Sequence, residues 1–380
     1  MFPSMTVAAT AKPELAYKRK ARKRGKNRKI RIEQVYDLDN LWQAESEARK
    51  NKKNHKGVRI FNENPVENIN WLSQAIRTRT FHSTEPVICS QMCPCGKERI
   101  LTKVPHFPDH IEHHGMMRVL MPYLIRYYYQ ESAASIKGRG MHYAARRTAR
   151  WIDEHKSYGR IYYIKRDFVK FYHNIRQDKI YDHLCKLFGN EGIRYLIKEA
   201  VTVCEDGLGI GLFPIQPFAN SYTSPLCRIF MRRFKVHIEI YCDDIVILGT
   251  DKKEVWKASR FIDEYAEKVM MQPLHENVGM QIIDERHFLD FVGYRFYFNH
   301  TLLRKKMKIK FRRAMARIKD PVRRYQVAMS YKGWLMHCDG FNLWRSVMHA
   351  KTYRIPVPDQ YRELCRKWQQ NNINQLKQAA

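Results

Sequence analysis

Carboxylates are what this chain is short of. Its 380 residues hold 38 Asp and Glu against 69 Lys and Arg, a formal charge of +31. That imbalance argues against an ordinary enzyme of small metabolites and for a polyanionic partner. Nucleic acid fits best, because the basic residues run along the whole length. Long apolar spans and amphipathic anchors are also missing, so an anionic membrane surface has nothing to hold, and no membrane partner is expected. Nine cysteines, an odd number, do not make a secreted disulfide framework and read as reduced thiols of a cytoplasmic protein. The opening MFPSMTVAATAKPEL is broken by two prolines and has no apolar signal core; the basic block that follows comes too abruptly to favour a transit peptide. Internal repeats are absent. Aromatic residues are plentiful at 12%, which supplies stacking surface for unpaired bases. The length suffices for a substantial core and two or three compact units.

The chemistry is written most plainly at 237–249, HIEIYCDDIVILG. Two β-branched apolar runs flank Asp243 and Asp244, which predicts two strands joined by a tight hairpin carrying the charged pair. Adjacent carboxylates on a rigid turn repel unless they are solvated or share a cation, and hard divalent ions such as Mg²⁺ suit a set of oxygen ligands. A solvated Asp-Asp turn is the alternative for the pair taken alone. Upstream, RIYYIKRDFVKFY (160–172) predicts a strand that delivers Asp167 at its end, followed by aromatics. Alone, that segment would equally be a charged strand end above a packed ring. Further upstream, SIKGRGMHYAARRTARWID (135–153) places Arg139 between Gly138 and Gly140 and opens a basic helix with Arg146, Arg147 and Arg150 on or near one face, an arrangement suited to phosphate contacts.

Taken together, Tyr241-Cys242-Asp243-Asp244 between apolar strands, with Asp167-x-x-Lys170-x-Tyr172 upstream, resembles the catalytic signature of reverse transcriptases. The resemblance covers about residues 57–350. It implies an α+β right-hand polymerase with fingers, a palm of antiparallel sheet plus helices, and a short helical thumb. The expected division is a basic arm and polar helix over 1–56, fingers and palm over 57–305, and a basic helical thumb with polar tail over 306–380. It also implies an RNA-directed DNA polymerase acting on dNTPs, an RNA template and an RNA–DNA duplex. Two Mg²⁺ ions, replaceable by Mn²⁺, would be held chiefly by Asp167 and Asp243, with Asp244 a third ligand. By the same mapping Tyr172 lies under the sugar and excludes a 2′-hydroxyl, and Phe168, Gln216, Arg99 and Lys103 line the nucleotide. Arg139, Arg146, Arg147, Tyr241, Arg312 and Arg313 would meet nucleic acid.

Finer motifs resemble bacterial or phage retroelement enzymes. Lys137-Gly138-Arg139-Gly140-Met141-His142 is similar to a stretch these enzymes carry, and Ile210-Gly211, Gln216 and Phe218-Ala219-Asn220 fit the frame I-G-x-x-x-S-Q-x-F-A-N. Ile215 stands where serine is expected, and Pro217 follows the glutamine. This pattern is nearest the diversity-generating retroelement type, which copies a template RNA with errors at adenine, usually beside a small basic accessory protein. A retron-type or defence-associated reverse transcriptase is the alternative within the class. From other classes come an inactive RNA-binding scaffold and a nucleotidyl cyclase, though the latter gives no reason for +31.

Residues 18–31, KRKARKRGKNRKIR, hold ten cations in fourteen positions, either a phosphate-gripping arm or a localisation or solubility segment. Helical patterns are expected over 33–56, 68–81, 109–129, 252–270 and 306–319. Strands are expected at Gly57–Asn62, at Pro86–Ile88 and as a pair around Asn299-His300. Cys89, Cys93 and Cys95, with His106 and His110 near, invite a zinc site, but C-x3-C-x-C is not a usual structural spacing and a hairpin turn is preferred.

Overall fold

The computed structural model describes residues 29–92, 98–130, 132–276, 279–348 and 363. The densest part of the basic block, at 18–28, and Cys93 and Cys95 lie outside the described residues. Strands β1 (Val87–Met92) and β2 (Glu98–Lys103) form an antiparallel hairpin. Strands β3 (Ile161–Asp167), β4 (His237–Tyr241), β5 (Asp244–Gly249) and β6 (Gln281–Ile283) form a four-stranded sheet in the order β4-β5-β3-β6. Strands β7 (Leu289–Phe291), β8 (Tyr294–Phe296) and β9 (Thr301–Leu303) form a third, smaller sheet. All named strand pairs are antiparallel.

The four-stranded sheet is buried on both faces, which is why its strands read as nearly continuous apolar runs. Ile164, Ile238, Ile240, Ile245 and Ile247 enter one core with Phe218 and Phe230 of helix Ile215–Arg233 and Val255 and Ile262 of helix Lys252–Tyr265. The alternate residues Tyr163, Val246 and Leu248 enter a second core with Ala144 and Ile152 of helix Met141–His155, Phe291 and Tyr294 of the small sheet, and Phe311 of helix Lys305–Arg317. The period-2 alternation of a strand sends successive side chains to these two cores. Helix ends are set by side chains: Asp251 accepts from the Lys253 and Glu254 amides at 2.7 and 3.2 Å, and Asp320 caps a helix whose first residue is Pro321.

Three expectations change. Gly57–Asn62 belongs to a helix, Lys56–Phe61, because Val58 and Phe61 are buried at helical spacing while Gly57 packs on His106. The stretch near 290–305 is three short strands rather than two, since Val292 and Gly293, at φ 41° and 89°, turn the chain inside what reads as one apolar run. Finally, a boundary at 56 would cut through packed helices. Ile30, Ile32, Val35, Leu41 and Ala44 share the core of helices Pro65–Thr78 and Ile111–Tyr127. His113 in the latter helix is fully buried, and burial pushes its ring down to about 3, so it packs as a neutral side chain. No helix among the described residues is long and apolar enough to cross a membrane.

Candidate functional site

The β4–β5 hairpin closes with a two-residue turn, Cys242-Asp243, and Cys242 takes the positive φ of 57° that tight hairpin turns require at their first position. In register, Asp244 pairs with Tyr241 across the hairpin and with Asp167 at the end of β3. Cross-strand partners face the same side, so two aspartates distant in sequence become neighbours by strand pairing alone. The electrostatics agree. Burial pushes the Asp244 carboxyl up; Lys165 opposes this, Asp167 and Asp243 reinforce it, and Arg304 opposes it more weakly. Asp167 Oδ1 is buried without a hydrogen-bond partner. A buried orphan carboxylate oxygen beside two further carboxylates is costly by itself and suits an arriving cation.

A second set of side chains adjoins this one. The Tyr172 hydroxyl donates to Gln216 Oε1, and the Cys242 thiol lies 3.8 Å from the same oxygen. Gln216 Nε2 donates to Asn220 Oδ1 at 3.0 Å, and Asn220 Nδ2 to the Ala134 carbonyl at 2.7 Å. Burial pushes the Tyr172 phenol up, reinforced by Cys242 and Asp243. Burial likewise pushes the Cys242 thiol up to about 12, with Asp243 reinforcing it and Arg99 acting against it from the β1–β2 hairpin. That hairpin is anchored at its foot: the Thr102 amide donates to the Ile210 carbonyl at 2.7 Å, and a Cβ on Gly211 would meet the Thr102 carbonyl at 2.8 Å. Gly211 also takes φ +113°, so both its backbone and its contact demand glycine.

The structure therefore brings Asp167, Tyr172, Gln216, Asp243 and Asp244 together, with Arg99 acting on Cys242 only through its charge. Lys103 is exposed four residues along the strand from Arg99, on the same face of β2. Tyr241 is half-buried against the second core, and Arg146, Arg312 and Arg313 are exposed on their helices. Three assignments are corrected. Phe168 is 2% exposed and packs on Phe171 at 5.0 Å in the core, so its ring cannot line a nucleotide. Arg147 pairs through Nε with the fully buried Glu239 at 3.1 Å, a structural use of its charge. Arg139 Nη1 donates to the carbonyls of Tyr129, Gln130 and Ser132 at 3.4, 3.2 and 3.3 Å, clamping its own loop rather than reaching outward.

Residues not anticipated are Lys165, Asp290, Arg295 and Arg304. Lys165 Nζ donates to the Asp290 carbonyl at 3.2 Å, and the Asp290 carboxylate pairs with Arg304 and, at 3.7 Å, Arg295. The signal for Lys165 was present, since two positions before Asp167 on a strand means the same face.

Divalent cations could be held by Asp167, Asp243 and Asp244. Among the described residues no three His, Cys, Asp or Glu side chains form a ready-made ion cage. The zinc expectation at Cys89 falls partly outside the described residues. His106 and His110 are engaged instead with Glu45 at 3.2 Å and Lys52 at 2.9 Å.

No protein-family model matches this sequence, and no curated protein matches it. Among solved structures the chain is similar to the apo telomerase of Candida tropicalis, at TM-score 0.50 and 10% identity, over 71% of this chain and 56% of that one. Telomerases solved with a TWJ fragment of telomeric RNA also align. That of Candida tropicalis gives TM-score 0.46 and 12% identity over 70% and 52% of the two chains, and that of Candida albicans gives 0.43 and 11% over 75% and 59%. The chain thus spans little more than half the length of these telomerases. At 10% identity the first likeness concerns the fold alone, and the fold it defines is reverse-transcriptase-like.

Proposed function

We propose that the chain is an RNA-directed DNA polymerase that extends a primer 3′-hydroxyl with dNTPs on an RNA template. One observation carries the reading: strand register sets Asp167 beside Asp244 on a hairpin whose turn holds Asp243, with Tyr172 and Gln216 adjoining. In this reading the β1–β2 hairpin belongs to the fingers, the four-stranded sheet is the palm, and the helices from 305 onward are the thumb. Asp167, Asp243 and Asp244 would hold two Mg²⁺ ions, or Mn²⁺ in their place. The ions supply charge neutralisation and polarisation at the attacking hydroxyl, the transferred phosphorus and the leaving pyrophosphate.

The protein's own part is positioning. Arg99 and Lys103 neutralise the triphosphate, Tyr172 closes the space under the sugar, and Gln216, fixed by Asn220, stands beside the nascent pair. Arg146, Arg312 and Arg313 supply phosphate contacts that hold the RNA–DNA duplex in register. The further assignment to a bacterial or phage retroelement of the diversity-generating type, with a small basic accessory protein, rests on motif residues: Ile210-Gly211, Gln216, Phe218-Ala219-Asn220 and 137–142. Ile215, buried at 2% exposure, offers no hydrogen bond where that frame carries serine. A looser hold on the nascent pair would bring correct and incorrect pairs closer in transition-state energy.

Primer extension on RNA and DNA templates tests the activity. Asp243→Asn is expected to abolish extension while RNA affinity stays near native, because binding rests on phosphate contacts elsewhere. Extension by that variant within about tenfold of native, roughly 1.4 kcal/mol of barrier, would sink the assignment. Sequencing the cDNA tests the subtype: errors no more frequent opposite adenine than elsewhere, with and without the accessory protein, retire it.

A further inference from the structure

Helices Ile215–Arg233 and Lys252–Tyr265 cover the face of the four-stranded sheet that is turned away from the small sheet and from helix Lys305–Arg317. Where the end of the first meets the second, a cavity of about 410 Å³ opens to solvent, and nothing in the proposed chemistry uses it. Its floor is aromatic. Phe234 and Phe261 line it with their ring centroids 5.5 Å apart, and the fully buried Phe230 packs on them at 5.3 and 6.5 Å, so the floor is continuous with the core. Over both rings lies the Arg233 guanidinium, 5.6 Å from the Phe234 centroid and 5.2 Å from that of Phe261. Lys257 and Arg260 complete a basic wall from one face of the second helix.

Arg233, Lys257 and Arg260 are all exposed, and among the described residues none of them makes an ion pair. Other exposed arginines of the chain do pair, Arg150 with Glu154 and Arg176 with Asp178. Two carboxylates also line the cavity, Glu254 and Glu264, yet neither takes a cation; Glu254 instead accepts from the Lys235 amide at 3.4 Å. Like charges gathered without partners repel one another, and an arriving anion relieves that repulsion. A cavity of this size takes one small ligand, on the scale of a nucleotide, and is too small for a duplex. A guanidinium backed by two phenyl rings presents one free plane, and nucleobases stack on such planes. Lys257 and Arg260 suit the phosphates on either side. The two carboxylates repel any anion, but only a nucleobase brings amino groups from which they can accept, whereas an acidic peptide brings none.

We propose that this cavity is a binding site for single-stranded RNA: one unpaired base enters and stacks on Arg233 above Phe234 and Phe261, and the flanking phosphates lie on Lys257 and Arg260. The choice of RNA over DNA rests on the polymerase reading, in which RNA is the template; the single-strand site itself does not. Unpaired RNA outside the copied stretch is then moored behind the sheet that carries Asp167 and Asp244, away from the helices that meet the duplex.

Fluorescence anisotropy on the full chain tests this with a labelled RNA of about a dozen nucleotides, as a single strand and annealed into a duplex, over a range of salt. Arg233→Lys keeps the charge and loses the plane. It is expected to weaken single-strand binding about tenfold, within the range for one lost base stack, and to leave duplex affinity and the salt slope unchanged. Lys257→Gln combined with Arg260→Gln should lower the salt slope for the single strand by about 1.4, about 0.7 for each lost phosphate contact, and again spare the duplex. All three side chains are exposed, so the core is untouched by these changes. Single-strand binding indifferent to Arg233→Lys overturns the proposal, as does a loss shared equally by strand and duplex. Labelled polyglutamate whose affinity depends on Arg233 as strongly as that of the RNA assigns the cavity to acidic peptides, and a matched DNA strand with the larger dependence assigns it to DNA; either result overturns the RNA assignment. Primer extension is read separately: a native chain that extends no primer sinks the polymerase reading, while the Arg233 comparison still decides the site.

Discussion

Replacing Arg147 with methionine separates a structural cation from a nucleic-acid contact. Glu239 on β4 is fully buried; its Oε1 accepts from Arg147 Nε at 3.1 Å and from His237 Nε2 at 2.9 Å, and its Oε2 has no hydrogen-bond partner. Removing one member of such a pair leaves a carboxylate in a low-dielectric core, which costs about 3–5 kcal/mol. Because His237 remains, the expected loss lies at the lower end, about 3 kcal/mol. With a urea slope of about 3 kcal/mol per molar, the midpoint should fall by about 1 M. Adding Glu239→Gln removes the stranded charge, so the double variant should recover most of that loss, the non-additivity expected of residues in contact. Urea titration followed by circular dichroism measures both, and duplex affinity is measured under the same salt. A midpoint within about 0.2 M of native, together with a clear loss of duplex affinity, would refute the argument and return Arg147 to the nucleic-acid surface.

Three further outcomes follow from the site and its surroundings. Tyr172→Val, in an active enzyme, should admit ribonucleotides, whereas Tyr172→Phe keeps the ring, frees Gln216 and should alter base choice instead; unchanged rNTP incorporation by the valine variant would make the ring mere core. Glu112 is fully buried, and burial, then Asp109 and Glu199, raise its carboxyl well above the usual value of 4.5. The folded state therefore keeps a proton that the unfolded state gives up, so Glu112's favourable contribution is complete below about pH 4.5 and is lost as pH rises toward the folded value. The stability advantage of Glu112→Gln should accordingly grow from about pH 4.5 upward, and a pH-independent difference in urea titrations would contradict it. Affinity for RNA should fall steeply between about 50 and 200 mM salt, and removing residues 1–28 should make that dependence shallower with little change in the chemical step; a salt-insensitive curve would contradict the reading of the charge. The deletion stops at 28 because Ile30 and Ile32 are buried in the core.

What could be read from the sequence was whatever is local and periodic. The β4–β5 hairpin, the strand ending in Asp167 and the helices at 65–78 and 252–265 each carry their pattern within a dozen or so residues. The pairing of Asp167 with Asp244 was expected only through resemblance, because strand register is a long-range property. Cations were the hardest to place. Arg147 and Arg139 stand in a basic, glycine-bracketed stretch that reads as a phosphate grip, yet a buried glutamate and three carbonyls claim them. Phe168 failed for a related reason: beside a candidate catalytic aspartate, an aromatic has the same appearance whether it faces a nucleotide or the core. The turn at Val292-Gly293 was hidden because a positive φ at valine leaves no trace in composition.

The contact between Gly211 and the Thr102 carbonyl has a mechanical consequence. Two backbones pressed together with no side chain between them, and joined by the Thr102–Ile210 hydrogen bond, form a hinge pin rather than a cushion. Any swing of the β1–β2 hairpin must carry the 207–214 loop with it, and that loop leads directly into the helix bearing Gln216. Arg99, far along the same lever, moves through the larger arc. Under the proposed function, closure on a triphosphate and adjustment beside the nascent pair would then be geared together, and a side chain at 211 would strip that gear without touching a single charged residue.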